Sequence, residues 1–284
     1  MARALVLGAT GHIGAHVVRA LLAAGHTVRA AYRRERFAFV LDGLPVERRR
    51  VDVETLDGLP TALDGCDWVF HAAGYYPLLP GRRRRALARG VEGTRRLLDA
   101  VARAKPRRVV FTSSAAALEG RGPTALYAQV KTAMEQEVLR AAAQGLPAVV
   151  VNPSVCLGEY DAHAFSGRLI LVCAKHPWLF NARGAFNAIY TGDVGVGQVR
   201  AAEQGRIGER YVMTCQQVTW QEFAGLVAQT VGKRPPRLRM PWTLHQAGTL
   251  DAGRAIRELA LPQTPVEDAV RRAVAWFRAS NLLQ

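Results

Sequence analysis

Cysteine is scarce in this sequence, and the few cysteines are not spaced to hold a metal. The 284 residues include 4 Cys and 7 His, without a CxxC pair or a Cys/His ligand pattern. Isolated cysteines of this kind are typical of small buried side chains in a reducing compartment. The sequence therefore predicts no metal site and four buried thiols, Cys66, Cys156, Cys173 and Cys215.

Long hydrophobic runs are also missing. No run approaches the roughly 20 apolar residues that a membrane-spanning helix needs, although 49% of the residues are hydrophobic. The strand-like run ALVLG begins so close to Met1 that it leaves no room for a signal peptide. These features predict a cytoplasmic globular protein with no membrane partner, built as one large α/β domain or as one domain with a smaller companion.

Acidic residues are outnumbered, because 38 Lys and Arg stand against 23 Asp and Glu and give a net charge of +15. The densest basic runs lie at 33–36, 48–50 and 82–85. A basic face can bind nucleic acid, but no helix-turn-helix, zinc-finger or stacking-aromatic module accompanies these runs. We therefore favour solvated arginines and predict no nucleic-acid partner. The run at 82–85 could instead meet an acidic substrate such as a diphosphate.

Short apolar runs alternate with amphipathic runs through the first 153 residues. The predicted strands are RALVLG, HTVRAAY, ERRRVDV, DWVFHAA, RRVVFTSS and LPAVVVNP. Helices are predicted between them, in AHVVRALLAAGH, DVETLDGLPTALDGC, VEGTRRLLDAVARAK and the stretch that contains Tyr127. This alternation is typical of βαβ units, and it predicts an α/β fold with a parallel sheet covered by helices on both faces.

The segment GATGHIG joins the first predicted strand to the first helix and carries Gly8, Gly11 and Gly14. Glycines in such a turn let the backbone approach a pyrophosphate, while the helix N-terminus supplies free N–H groups and positive dipole. Gly14 would permit close packing of the helix on the strand. The position at the start of a βαβ series favours a dinucleotide site over a simple tight turn.

Tyr127 and Lys131 lie four residues apart in YAQVK. On a helix this spacing places both side chains on one face, yet it is too common to define a site alone. A free tyrosine has a pKa of about 10, and a lysine ammonium one turn away stabilises the phenolate. The pair therefore fits proton transfer. Two residues that merely share a helix face remain the alternative.

Taken in order, these motifs resemble the short-chain dehydrogenase/reductase superfamily, specifically its extended branch of nucleotide-sugar epimerases and dihydroflavonol-reductase-like enzymes. The resemblance covers most of the chain, through LGATGHIG, RVDVETLDGL, DWVFHAAG, VEGTRRLL, RVVFTSSAAA, YAQVK, NPSVCLGEYD and GRIGERYVM. It implies a Rossmann-type doubly wound parallel sheet with a small C-terminal substrate-binding subdomain. GRIGERYVM would be a late strand of the substrate region.

The resemblance also implies roles for individual residues. Ser114, which directly precedes the small Ala115, would be the catalytic serine, with Tyr127 as the acid/base; serines that only satisfy backbone groups at the strand end are the alternative. Lys131 would also hold the nicotinamide ribose. Further cofactor-binding residues would be Gly8, Thr10, Gly11, His12, Ile13, Gly14, Arg33, Arg34, Asp52, Val53, Ala72, Ala73, Pro153 and Val155.

The end of the second strand indicates which cofactor is used. In NAD-dependent proteins an Asp or Glu there holds the ribose 2′-hydroxyl. Here Tyr32 occupies that place, and Arg33 and Arg34 follow. A guanidinium can pair with a 2′-phosphate in a forked geometry, whereas a carboxylate would repel it. We therefore predict NADP(H) rather than NAD(H); arginines that are only solvated are the alternative.

The sequence departs from the family pattern at several places. Gly90 replaces the usual Asn, the step from Ser114 to Tyr127 is short, and the C-terminal third is trimmed. Tyr75 and Tyr76 could line the substrate pocket or only pack. We expect a cofactor domain over 1–155, joined by 186–204, and a substrate subdomain over 156–185 and 205–284. Within it, the closing amphipathic helix is predicted to bury Val266, Ala269, Val270, Ala273, Val274 and Phe277.

Three functions remain open. The favoured one is an NADP(H)-dependent oxidoreductase acting on a small carbonyl or secondary alcohol. The second is a nucleotide-sugar epimerase or dehydratase that retains NAD(P), and the third is a non-catalytic NADP(H)-sensing protein, a reading that the complete set of Ser114, Tyr127 and Lys131 disfavours. Because members of the superfamily commonly pair through the helix that carries Tyr127, the resemblance also implies a homodimer.

Overall fold

The computed structural model describes residues 1–75, 82–119 and 125–283. The strands in these ranges are β1 Arg3–Leu7, β2 Thr27–Tyr32, β3 Glu47–Arg50, β4 Trp68–His71, β5 Arg108–Thr112, β6 Ala148–Pro153, β7 Val155–Leu157, β8 Arg183–Tyr190, β9 Arg210–Met213, β10 Gln216–Thr219 and β11 Thr243–Gln246. Seven of them form a parallel sheet in the order β3-β2-β1-β4-β5-β6-β9.

Helices cover both faces of this sheet. The α-helices in the described residues are α1 His12–Ala23, α2 Leu59–Leu63, α3 Arg83–Arg103, α4 Ala116–Glu119, α5 Ala125–Ala143, α6 Gly167–Lys175, α7 Thr191–Gln204, α8 Trp220–Thr230, α9 Gly253–Leu259 and α10 Val266–Ala279. Side chains of α1, α7 and α9 share one core with the sheet, and those of α2, α3 and α5 share the other. The predicted Rossmann-type doubly wound fold is confirmed.

The strand order places a crevice above the middle of the sheet. β1 lies between β2 and β4, so the chain leaves β1 toward one edge and later continues from β4 toward the other. In open parallel sheets ligands bind at such a switch point, outside the carboxyl ends of the strands. The loop after β1 is GATGHIG, so this topology directs the glycine motif into the crevice.

A second, smaller sheet lies beside the crevice. β8 pairs antiparallel with β10 and parallel with both β7 and β11. Its core is shared with α6, α8 and α10. The predicted apolar face of the closing helix is confirmed, because Val266, Ala269, Val270, Ala273, Val274 and Phe277 are all buried there.

One strand was placed wrongly from the sequence. GRIGERYVM, expected in the substrate region, forms β9 and pairs in parallel with β6 as the last strand of the main sheet. Tyr211 and Met213 are fully buried there, against the core that includes α7. The chain therefore returns to the main sheet after the helix at 191–204, a step that short-range patterns do not reveal.

Cys66, Cys156 and Cys173 are buried as predicted, whereas Cys215 is only half-buried. None of the helices in the described residues has the length and hydrophobicity to cross a bilayer. In the same part of the chain, no group of three His, Cys, Asp or Glu side chains is placed to hold a metal ion.

Candidate active site

A cavity of about 1280 Å³ lies at the carboxyl ends of β1, β2, β4, β5 and β6. Nearly all the predicted site residues line it: Gly8, Thr10, Gly11, His12, Ile13, Arg33, Arg34, Val53, Ala72, Ala73, Ser114, Tyr127, Lys131, Pro153 and Val155. Because Val53 follows β3, the fold gathers residues from six strand ends around one space. The two predicted cofactor residues outside the lining are Gly14 and Asp52.

The glycine loop requires glycine for steric reasons. Gly8 has a φ of +84°, and a Cβ there would lie 2.7 Å from the backbone nitrogen of Ala73. A Cβ on Gly14 would lie only 2.1 Å from the carbonyl oxygen of Gly8. Gly14 therefore holds α1 tightly against the loop without touching the cavity. The first turn of α1 has N–H groups without an intrahelical partner, and its residues His12 and Ile13 line the cavity.

The side chain of His12 has a structural role that the glycine motif does not predict. Its Nε2 lies 2.8 Å from Oγ1 of Thr191, and its Nδ1 lies 3.2 Å from Oγ of Ser166. The imidazole is buried, which lowers its pKa against the raising effect of Asp161. It therefore connects the glycine loop to α7 and to the start of α6. Only its backbone is available to a phosphate.

The end of β2 carries cations rather than a carboxylate. Arg33 and Arg34 line the cavity, and Nη1 of Arg33 lies 3.8 Å from Oε1 of Glu54. The hydroxyl of Tyr32 donates to Glu35 at 3.0 Å, away from this corner. The carboxylate of Asp52 accepts the backbone N–H of Glu54 at 2.8 Å, and its place beside the adenine stays a prediction. Its neighbour Val53 does line the cavity.

Ser114, Tyr127 and Lys131 all line this cavity. Lys131 is buried, and its Nζ donates to the carbonyl oxygen of Thr112 at 3.1 Å. Burial lowers the pKa of Lys131 to about 8, although Glu135 raises it. Oγ of Ser114 accepts the backbone N–H of Ala116 at 3.3 Å. Ser113 also lines the cavity, and its buried hydroxyl finds no hydrogen-bond partner among the described residues, so the choice of Ser114 stays a prediction.

Replacing Lys131 by Met is expected to stabilise the protein by about 2 kcal/mol near pH 7. The folded-state pKa of about 8 lies below the ordinary 10.5. Between these values the unfolded chain binds more protons, so stability rises with pH and is lowest below pH 8. The advantage of the variant should therefore shrink from pH 8 toward pH 10.5, as urea unfolding at several pH values would show. Lys175→Met, at an exposed lysine, should keep the wild-type pH profile; equal profiles for both variants would contradict the expectation.

A buried polar network behind the catalytic set was not predicted from the sequence. Nδ2 of Asn152 donates to the carbonyl oxygen of Ser114 at 3.1 Å and to Oε2 of Glu135 at 2.7 Å. Glu135 is 2% exposed and pairs with Arg210 of β9. The network joins α5, β5, β6 and β9. The only local signal was an acid one turn beyond Lys131, and its partners lie too far along the chain to be read from spacing.

Gly90 replaces the Asn of the family pattern for a packing reason. A Cβ at this position would lie 2.9 Å from Cγ1 of Val130 on α5. A longer side chain would push α3 away from α5, which carries Tyr127 and Lys131. Tyr75 lines the cavity, while Tyr76 lies outside the described residues. The basic run at 82–85 is exposed at the start of α3, and the described lining does not include it.

The far wall of the cavity is mostly apolar. It is built from α6, β8, β11 and the loops around them, by Phe165, Leu169, Phe186, Ala247 and Leu250 together with the polar or ionisable Asp161, His163, Ser166, Asn187 and His245. Among the described residues from 153 onward that line the cavity, neither Lys nor Arg occurs. This part of the space therefore suits an uncharged, largely apolar molecule.

Known proteins support the same fold and chemistry. The family model described as the NAD dependent epimerase/dehydratase family matches residues 4–213. Sterol demethylase protein B of Methylococcus capsulatus is 32% identical over 98% of this chain and 99% of the relative. A putative dihydroflavonol 4-reductase of Synechocystis is 30% identical over 96% of this chain and 94% of the relative.

Solved structures extend this likeness to the whole chain. The protein gox2253 is 27% identical with a TM-score of 0.86, and both chains are covered completely. A nucleoside-diphosphate-sugar epimerase from Pseudomonas aeruginosa is 26% identical with a TM-score of 0.82, covering 100% of this chain and 99% of its own. The chain therefore belongs to the NAD-dependent epimerase/dehydratase family, within the extended short-chain dehydrogenases/reductases, and is an NAD(P)-dependent oxidoreductase or epimerase.

Proposed function

We propose that the protein is an NADP(H)-dependent oxidoreductase that acts on a small, largely apolar ketone, aldehyde or secondary alcohol. The observation that carries the proposal is that one cavity is lined both by the predicted catalytic residues and by a mostly apolar wall. Ser114, Tyr127 and Lys131 line this cavity, and so does a mostly apolar wall whose described residues from 153 onward include neither Lys nor Arg. We further propose that the second sheet and its helices form the substrate subdomain, and that residues 1–155 bind the cofactor. Of the segment 186–204 that was expected to join the cofactor domain, α7 packs on the main sheet, whereas residues 186–190 belong to β8 of the second sheet.

The residues present fit a nicotinamide dinucleotide. The cradle of Gly8 and Gly14 leaves no room for side chains between loop and helix, so backbone N–H groups can approach a pyrophosphate. Arg33 and Arg34 would hold the 2′-phosphate, and Lys131 the nicotinamide ribose. When bound, the cofactor supplies or accepts the hydride.

The chain's own chemistry is proton transfer. In the reductive direction the hydroxyl of Tyr127 donates its proton to the carbonyl oxygen of the substrate, and the resulting phenolate recovers a proton from solvent. The Lys131 ammonium favours the phenolate during this step. The hydroxyl of Ser114 donates a hydrogen bond to the same oxygen and orients it. The apolar far wall excludes water, which strengthens these interactions.

The epimerase alternative is disfavoured by charge. A nucleotide-sugar carries a diphosphate, which proteins generally bind with Arg, Lys or a helix N-terminus. The described substrate wall offers neither Arg nor Lys. The sensing alternative is disfavoured because the complete set of Ser114, Tyr127 and Lys131 faces the cavity.

With a panel of apolar ketones and aldehydes, the protein is expected to oxidise NADPH with net consumption, one cofactor for each alcohol formed. Arg33→Ser should raise the KM for NADPH by about ten- to a hundred-fold and leave that for NADH nearly unchanged, because only the 2′-phosphate pairs with the guanidinium. Absorbance of the reduced nicotinamide and mass analysis of the product measure both effects.

Arg36→Ser is the matched control, since Arg36 is exposed three residues away and the described lining does not include it. This variant should keep the wild-type preference for NADPH over NADH. Interconversion of a nucleotide-sugar without net cofactor consumption would replace the proposal with an epimerase. A preference for NADH in the wild-type protein would contradict the cofactor assignment.

A further inference from the structure

Two segments outside the cavity form one exposed surface, residues 174–183 and 233–243, which we call the tryptophan face. Nζ of Lys233 donates to the carbonyl oxygen of Ala174 at 2.7 Å. Nδ2 of Asn181 donates to that of Leu238 at 2.7 Å, and Nε1 of Trp242 donates to that of Leu179 at 3.3 Å. These bonds hold the second segment against the first, so that their side chains share one surface.

Large apolar side chains project from this face. Leu238 is 80% exposed, Trp178 47% and Trp242 40%. The buried Asn181 anchors the loop beneath them through the carbonyl oxygens of Pro236 and Leu238. A loop that is held by a buried amide and still presents Leu and Trp to solvent is organised to meet another apolar surface.

The charge around these side chains has one sign. The two segments contain six exposed cations, Lys175, Arg183, Lys233, Arg234, Arg237 and Arg239, and no Asp or Glu. The sequence has no acidic residue between Asp161 and Asp193, nor between Glu222 and Asp251. The face therefore combines a local positive field with projecting tryptophan and leucine side chains.

We propose that the tryptophan face docks on the surface of an anionic phospholipid bilayer. Arginine and lysine are attracted to anionic headgroups, Trp prefers the headgroup level, and an apolar tip such as Leu238 enters the acyl boundary. Nucleic acid would satisfy the cations but would leave the protruding Leu238 without a partner. No spanning helix is needed for this association, so the proposal revises the sequence-based prediction of no membrane partner.

The tryptophan face is connected through β11 to the wall of the cavity, and this connection indicates what docking would achieve. Trp242 is followed directly by β11, and His245 of β11 lines the substrate end of the cavity. β11 pairs with β8, whose Phe186 lines the same wall. A bilayer held at the face would lie next to the apolar half of the cavity. A substrate dissolved in lipid could then enter without crossing bulk water.

Flotation of the full-length protein with lipid vesicles tests the proposal. Binding is expected to vesicles of equal phosphatidylcholine and phosphatidylglycerol, but not to phosphatidylcholine alone, and it should weaken with salt. Arg237→Glu with Arg239→Glu should reduce partitioning by at least about thirty-fold, because two cations are lost and two anions are gained. Leu238→Ser, which keeps the charge, should reduce it by about ten-fold.

Arg103→Glu with Lys105→Glu is the matched control, because it changes the net charge equally at the exposed end of α3. It should bind vesicles like the wild type. Equal loss in this control, or unchanged binding of Leu238→Ser, would overturn the proposal in favour of adsorption through net charge. Binding of RNA that the Arg237/Arg239 variant loses and Leu238→Ser retains would overturn it in favour of a nucleic-acid surface. NADPH binding by each variant shows that the fold is intact, and it separates this test from that of the oxidoreductase.

Discussion

Replacing Tyr127 by Phe is expected to lower kcat by at least about a thousand-fold while NADPH affinity stays within about two-fold of the wild type. The ring of Phe fills the same space, but it has no proton to give to the substrate oxygen. The remaining groups, Ser114 and Lys131, still bind and orient. Initial rates of NADPH oxidation measure kcat, and quenching of protein fluorescence by NADPH measures binding.

Tyr75→Phe is the control for this experiment. Tyr75 lines the same cavity, and its ring lies under the Arg89 guanidinium, 5.4 Å from the ring centroid, a contact that Phe keeps. Its kcat should change by less than about three-fold. A Tyr127→Phe enzyme with near wild-type turnover would remove Tyr127 as the acid/base and direct attention to the unpartnered hydroxyl of Ser113.

The sequence predicts the cofactor half of the molecule well because its signals are local. GATGHIG, the six apolar runs and YAQVK each lie within a few residues, and the handedness of βαβ units then fixes where strand ends meet. Val53, Ala72 and Pro153 are far apart in the sequence but line one cavity, because each lies at or just beyond the carboxyl end of a parallel strand.

The remaining features depend on distant contacts, which no local pattern encodes. β9 joins the main sheet because Tyr211 and Met213 find a core with α7. Asn152 belongs to the buried polar network because its amide donates hydrogen bonds both to Glu135 and to the carbonyl oxygen of Ser114. His12 sits in the glycine motif, yet its side chain is bound by Thr191, 179 residues further along the chain.

The far wall of the cavity is the part of the site that the sequence predicts least well, and the reason is the same. Its wall combines Leu169 of α6, Phe186 of β8 and His245 of β11, elements separated by long loops. Composition describes the chain as basic, with a net charge of +15. Neither Lys nor Arg occurs among the described residues of the far wall, whereas the tryptophan face carries six exposed cations. That separation is the physical reason to expect an apolar substrate from a strongly basic protein.

Replacing Gly14 by Ala is expected to destabilise the protein by about 3 kcal/mol and to weaken NADPH binding by at least about a hundred-fold. The new Cβ would meet the carbonyl oxygen of Gly8 at 2.1 Å and its carbonyl carbon at 2.8 Å. Both are backbone atoms, so no side chain can rotate away, and either α1 or the loop must move. Moving either one displaces the N–H groups that would bind the pyrophosphate. Urea unfolding and NADPH titration measure the two effects.

The sign of the stability change in Gly14→Ala is informative, because helix propensity alone favours Ala over Gly by about 1 kcal/mol. Gly225→Ala isolates that gain, since Gly225 lies inside α8 and a Cβ there meets nothing within 4 Å. It should stabilise the protein by about 0.5–1 kcal/mol and leave NADPH binding unchanged. If Gly14→Ala were as stable as Gly225→Ala and bound NADPH normally, the close approach of α1 to the loop would not be what the cofactor site requires. The opposite signs expected for the two variants therefore test the steric origin of the motif directly.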